Sequence, residues 1–549
     1  MLFVVLPATA SARGGEETLK AIKDYAGLTT FSCHSDPITL YPGQNINDVR
    51  TSETCPNATK LNDGPVDPAV FASDSKTMGY ITRFKPSMVE VHPDGSTTVP
   101  AVWDLHLHHV VWADSNGNPA FGAGEEKTIS KMPRGYGAKV AGGANWFINQ
   151  MLHSLNASEG RQVELTWEID WVPASVNLKP LRLRWLDVAG APHFYPVFDA
   201  EKAFDQNGDG LYTFPNEVPT DPSAPGYEER ENISPARRWV VPAGGATLVS
   251  TGGHMHPGGK RTNMQVARDG DDPGSVAGDD PSEVKQLFRS DAHYYEPAGA
   301  VSWDVSMEVA RHDWRISLKE GDVVSISVTY NVKRGDWPES MGIMATAWYP
   351  GHDDPLARDP FDDADEVQAM FDEGGIVTHG HLPENADSKA RKDLGLPDPR
   401  KLPSQGPVPP GGIDINSFVY SPGGFSAIRA FPQELMEPVT VDPGDTVTFT
   451  NNDALPGETN AEQVWHSITS CQAPCNKGSG IGNPLANGPI RFDSGQLGYG
   501  KSFSTEVTTG SNQYTTPPLT KPGATYTYFC RIHPFMRGSI RVTGGGKKG

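Results

Sequence analysis

The sequence has little positive charge. Lys and Arg number 46 against 67 Asp and Glu, giving a formal net charge of −21 and a pI near 5.2. Such a surface repels polyanions, which argues against nucleic acid and anionic membrane as partners. Long apolar runs are also missing. After the first residues no stretch is long and apolar enough to span a bilayer, so no membrane span is expected. Cysteine is scarce, with 5 in the chain, and an odd count leaves one without an intramolecular partner. No short-period repeat is evident.

What is abundant points to β structure. Gly 58 and Pro 48, with many short alternating runs, suggest a β-rich, loop-rich protein long enough for three domains. In QVELTWEIDWV, residues Val163, Leu165, Trp167, Ile169 and Trp171 alternate; in VVSISVTYNV, Val324, Ile326, Val328, Tyr330 and Val332 do the same. Both read as strands with one buried face. The opening MLFVVLPATASA reads as the end of a secretory signal over 1–12, without its basic region, which predicts a secreted or periplasmic/extracellular protein. Residues 13–70 read as a loop-rich segment with one amphipathic piece, EETLKAIKDYAG, and a Cys-bearing loop. Residues 71–200 and 201–355 read as two β domains. The acidic stretch 352–373 reads as solvated, and 356–411 as an acidic segment and Pro-rich linker ahead of a last domain at 412–545.

The most informative motif is YFCRIHPFMRG, with VWHSITS upstream. Cys530, His533 and Met536 lie close together, and His466 completes the set. One thiolate, two imidazoles and a thioether are the ligands of a type 1 (blue) copper electron-transfer site. Residues 412–545, with VTVDPGDTVTFTNND and FDSGQLGYGKSFS, resemble the cupredoxins, and the short Cys-to-Met spacing is similar to amicyanin. With Cys530 a ligand, Cys33 with Cys55 and Cys471 with Cys475 are the local disulfide pairings, others remaining open.

Histidine is clustered. WDLHLHHVVW holds His106, His108 and His109; GGHMHPGG holds His254 and His256; THGHLPEN holds His379 and His381. On a strand, residues i and i+2 share a face, so His-x-His sets two imidazoles side by side, as copper or zinc requires.

The stretch from about 78 to 350 resembles the copper monooxygenases typified by peptidylglycine α-hydroxylating monooxygenase and dopamine β-monooxygenase. LHHVVW matches the family's His-His segment, MPRGYGAKVAGGANWFINQMLHSL the segment leading to its third His, GGHMHPGG its His-x-His, and ESMGIMATAWY its Met segment. The resemblance implies all-β architecture: two jelly-roll β-sandwich domains, followed here by a cupredoxin Greek-key β-sandwich. It implies an electron-transfer copper on His108, His109 and His153, and a catalytic copper on His254, His256 and Met341. On an ideal strand His108 and His109 point to opposite faces, so using both needs a bulge or strand end. His106 is the rival ligand there, and Met344 a weaker rival to Met341. The sequence departs from the peptide-amidating members at Gly252, where they carry Arg, and at Ala345, where they carry Tyr; the family's dense disulfides are largely absent.

FDQNGDGLYTFPNE places Asp205, Asn207 and Asp209 before Gly210, like the opening of a calcium loop, with Glu217 one place beyond the usual glutamate. An Asx-rich turn is the competing reading. His379 and His381 lie outside both resemblances, with ligand and hydrogen-bonded roles equally open.

These residues imply an exported copper oxidoreductase with one blue and two non-blue coppers, and a calcium loop. It would be a monooxygenase using dioxygen, a small-molecule or peptide substrate and an external reductant, with the cupredoxin as electron donor. The alternative is a non-enzymatic copper-binding or electron-transfer protein.

Overall fold

The computed structural model describes residues 25–544 except 42–44, 103–104, 155–159, 191–196, 269–283, 296–299, 301–302, 334–336, 381–396, 427–436, 459–462, 472, 474–490, 496, 500–508 and 531–535. The signal reading at 1–12, most of EETLKAIKDYAG, His381, Cys475 and His533 lie outside the described residues. The chain is all-β, with several sheets packed as sandwiches.

Alternation writes the first sandwich. Along the strand Arg161–Pro173, Val163, Leu165, Trp167, Ile169 and Trp171 are all buried. On its other face Glu168 and Asp170 pair with Arg83 and Lys85 of the adjacent strand Met78–Val91. This nine-stranded sheet lies against a four-stranded one, ordered Asn45–Glu53, Asn145–Ser154, Leu105–Ala113, Pro119–Gly124. Phe31, Phe84, Leu107, Trp112 and Trp167 fill the core between them.

The region read as a loop-rich segment is instead part of this unit. Thr29–His34, Ile38–Leu40 and Thr59–Lys60 join the first sheet, and Asn45–Glu53 edges the second. Thr29–His34 and Ile38–Leu40 are short, and the burial of Phe31, Cys33, Ile38 and Leu40 comes with the sheet they join. The Cys33–Cys55 disulfide forms as paired from sequence and ties these strands together.

The second sandwich is built on an eleven-stranded sheet. Its sheet begins with Arg182–Asp187, which pairs with Gly342–Pro350, ahead of the boundary read at 201. Val323–Asn331 is buried on both faces, not one. Ser325, Ser327 and Thr329 are small enough to be covered, and Thr329 shares a hydroxyl contact with Thr213 at 3.1 Å. The acidic stretch is not simply solvated. Its helix Ala364–Glu373 buries Val367 in the second core, and its Asp359 pairs with Arg268 and Lys319. A charge-rich composition hides a helix whose few apolar residues fall on one side.

The third unit packs a six-stranded sheet against a four-stranded one. Val439, Val441, Val447 and Phe449 are all buried in its core, as their alternation predicts. The end of the Pro-rich linker enters the fold: Gly406–Pro407 pairs with Val439–Val441, and Arg541 donates to the carbonyls of Pro399 and Leu402. Among the described residues no helix is long and apolar enough to cross a membrane.

Candidate metal centres

The four-stranded sheet of the first sandwich turns Leu105, Leu107, Val110 and Trp112 into the core. Leu107 and Val110 are three residues apart, which regular alternation forbids. The irregularity is a bulge: Met151 pairs with His109 and Leu152 with Leu107, leaving His108 as the extra residue. His106, His108 and His109 all end up away from the core, joined by His153, which pairs directly with His106.

His106, His108 and His153 form one group whose candidate ligand atoms all lie within 4.8 Å of one another. The ring centroids of His108 and His153 are 4.7 Å apart, and those of His106 and His153 5.4 Å. His109 stands beside this group, 5.4 Å from His108 by ring centroid, and lines a cavity with His254 and Met341. The close group thus contains His106, kept as a rival from sequence, with His108 and His153, whereas His109 lies beside it. The cross-strand pairing of His106 with His153 is the physical reason.

The second sandwich brings His254 and His256 to the same seam. Their rings are 5.6 Å apart, and His256 lies 4.8 Å from His108. Trp303 packs edge-on against His106, His108 and His256 at 4.8, 4.5 and 4.8 Å.

His254 and His256 each have Nδ1 committed. Nδ1 of His254 meets Glu126 at 3.1 Å, and Nδ1 of His256 donates to the Glu339 carbonyl at 2.5 Å. Glu339 has φ 56, a left-handed conformation rare for its type, which turns that carbonyl inward. Nε2 of both imidazoles is buried without a hydrogen-bond partner among the described residues. An anchored Nδ1 with a bare Nε2 is how imidazoles are prepared for metal.

Tyr330 ties the set together. Its hydroxyl accepts from the backbone N–H of His256 at 3.1 Å and of Met341 at 3.0 Å, and donates to the Met341 carbonyl at 2.8 Å. Two segments far apart in sequence thus share one phenol. Met341 is buried against Met151 and Ile343; Met344 instead faces the second core.

Sequence reasoning missed the turn Gly124–Lys127. Glu126 reaches from the first sandwich to His254 of the second, while Glu125 accepts from the N–H of Leu107 at 2.9 Å and from Lys127 at 2.7 Å. Its carboxylate also lies 3.8 Å from Nδ1 of His106. Nothing in the local sequence marks these two adjacent glutamates as buried; the three-dimensional seam encloses them. A Cβ on Gly124 would lie 2.6 Å from the His254 ring, so glycine is required for the close approach.

Burial first, then neighbouring imidazoles, holds His106, His108 and His256 well below the usual imidazole range and pushes His109 down to about 3. Neutral imidazoles with available lone pairs are the metal-binding form. The donor set therefore fits copper: three imidazoles on one side, and two imidazoles with a nearby thioether on the other.

In the third unit Cys530 is a buried thiol. Nδ1 of His466 lies 3.9 Å from its sulfur, and Ser467 N–H donates to that sulfur at 3.3 Å. Nε2 of His466 meets Asp453 at 3.0 Å, and Asp453 also accepts from the N–H groups of Ser417 and Phe418. Burial opposes protonation of His466, but Asp453 and Cys530 outweigh it and lift its pKa to about 9. Met536 is buried at the other end of the ligand loop, its carbonyl accepting from Cys530 N–H at 3.2 Å. Cys471 is disulfide-bonded.

The Asp205 loop is closed by its own backbone. Asp205 accepts from Gly208 and Gly210, Asp209 from Leu211, and Glu217 from Asn207 and Thr213. A 3-10 turn at Lys202–Phe204 precedes it and the strand Leu211–Phe214 follows, so EF-hand helices do not flank it. His379 is half-buried, and its loss of hydration pushes its pKa down to about 3.

A cavity of about 350 Å³ opens between the sandwiches beside His109, His254 and Met341. Its floor is one face of three paired strands: Ser250 lies opposite Ala347, Gly252 opposite Ala345 and His254 opposite Ile343, with Leu183 and Trp185 next in line.

No protein-family model and no curated protein matches the chain. Among solved structures it is similar to the copper-containing nitrite reductase from Thermus scotoductus SA-01, at 14% identity and TM-score 0.15, over 56% of this chain and 59% of that one. It is also similar to the VP2 subviral particle of infectious bursal disease virus, at 10% identity and TM-score 0.15, over 61% of this chain and 75% of that one. Likeness at this level assigns neither family nor ligand, so the chemistry rests on the residues themselves.

Proposed function

We propose that the chain is a copper oxidoreductase that hydroxylates a C–H bond with dioxygen, taking electrons from an external reductant through its third unit. One observation carries the reading: His106 and His108, both buried, form with the partly buried His153 an imidazole group in contact with His256, beside an apolar cavity. His106, His108 and His153 would hold one copper. His254, His256 and Met341 would hold a second, with His109 alongside. His466, Cys530, His533 and Met536 would hold a blue copper. Bound copper would supply one-electron redox chemistry and, at the thioether-containing set, reaction with dioxygen.

The chain's own residues prepare this chemistry. Glu126 and the Glu339 carbonyl fix the imidazole tautomers of His254 and His256. Tyr330 holds the His256 and Met341 segments together. Trp303 packs edge-on against both His108 and His256, which themselves lie 4.8 Å apart by ring centroid, and so buttresses the contact between the two imidazole groups. The apolar cavity walls exclude water from the substrate. In the third unit Asp453 orients His466, and Ser467 N–H donates to the Cys530 sulfur, which tunes the thiolate.

The test is metal analysis with optical and spin-resonance spectra, followed by turnover with ascorbate, dioxygen and candidate substrates. One blue and two non-blue coppers per chain are expected. Hydroxylated product should vanish in His256→Ala, and the intense visible absorption in Cys530→Ser. Copper cycling without hydroxylated product would favour a copper-binding or electron-transfer protein instead.

A further inference from the structure

From the cavity lining we infer that the substrate is an uncharged, apolar small molecule; this deepens the monooxygenase reading and rests on it. The walls are Val111, Phe121, Met132, Leu183, Trp185 and Val309, and the floor is the row of small residues around Gly252 and Ala345. Among the described lining residues there is no Lys, Arg or Asp. An anionic substrate would therefore lose its hydration without gaining a Lys or Arg side chain from the lining, which burial penalises heavily.

A cationic substrate fares no better. Glu126 is the acidic group in the lining, and its oxygens are already held by Gly124 N–H and His254 Nδ1. The remaining polar lining groups, among them Thr128, Asn149 and Thr251, carry no charge. The volume, about 350 Å³, suits a molecule of modest size. Gly252 and Ala345 face each other directly across paired strands. Their smallness is what leaves the floor open, and side chains there would shrink the cavity. A Cβ on Gly252 would meet Val309 at 3.6 Å, an ordinary contact, so a larger residue is sterically tolerable at its base.

Binding can be tested on the full, metal-free chain by equilibrium dialysis with three size-matched probes: ethylbenzene, phenylacetate and phenethylammonium. Working without copper separates this inference from the redox reading, since a failure to bind here leaves the copper sites and their turnover untouched. Ethylbenzene should bind at least about tenfold more tightly than either ion. Gly252→Trp should weaken ethylbenzene binding by about tenfold or more, and Ala345→Leu should weaken it independently if the first variant misfolds. Equal binding of phenylacetate or phenethylammonium would overturn the inference. So would ethylbenzene binding unchanged in both folded variants.

Discussion

Glu126 and His254 belong to different sandwiches, yet the carboxylate lies 3.1 Å from the imidazole Nδ1, with both side chains nearly enclosed. The first unit thus positions a candidate ligand of the second. Glu126→Ala should free the His254 ring and lower metal affinity at the His254–His256 site about 10- to 100-fold. The His106 triad should keep its affinity. Chelator competition followed by spin resonance reads both sites, and equal affinities in parent and variant would refute the positioning role.

The triad geometry makes a sharp comparison between neighbours on one strand. His106→Ala removes a member of the group held within 4.8 Å and should cost one non-blue copper per chain. His109→Ala should leave that copper bound and change instead the spin-resonance signal of the cavity-side ion. Metal content with spectra of the two variants decides the matter. Loss of the same copper in both would restore His109 to the first site.

Glu229 gives a pH-dependent prediction away from the metals. Burial, with Asp199 nearby, raises its pKa to about 7 from the ordinary 4.5, although Asn232 donates to it. A folded pKa above the unfolded value means its contribution is fully present below about pH 4.5 and is lost as pH rises through about 7. Glu229→Gln should remove that loss and stabilise the second sandwich at about pH 8 by on the order of 3 kcal/mol, with little difference at about pH 4. Denaturant unfolding at both pH values checks it; identical stabilities at the higher pH would contradict the assignment.

Strands with strong alternation were legible in the sequence. Val163 through Trp171 and Val439 through Phe449 bury as their period requires, because one apolar face leaves little choice of register. Thr29–His34 and Ile38–Leu40 were not, since their burial is supplied by a partner strand more than a hundred residues away, as Thr29 opposite Trp171 and Ile38 opposite Val163 illustrate. The His clusters were visible in the sequence, but not which imidazoles group together. That choice depends on the pairing of His106 with His153, a non-local fact. Glu126, Tyr330 and Asp453 were invisible for a related reason. Each acts by touching a residue from another segment, and no local spacing marks a side chain for that task. Met341 was distinguishable from Met344 by resemblance alone; their opposite environments appear once the strand is folded.

The bulged residue His108 has a further consequence, in the strand's tolerance of changes in length. It lets Leu105 and Leu107 on one side, and Val110 and Trp112 on the other, all reach the same core. Deleting one residue here would restore a regular strand and lose an imidazole in the same step. Inserting one would turn either the pair of leucines or the Val110–Trp112 pair outward. Substitutions at His108 are therefore a question of chemistry, whereas insertions and deletions around it are a question of whether the sheet can close.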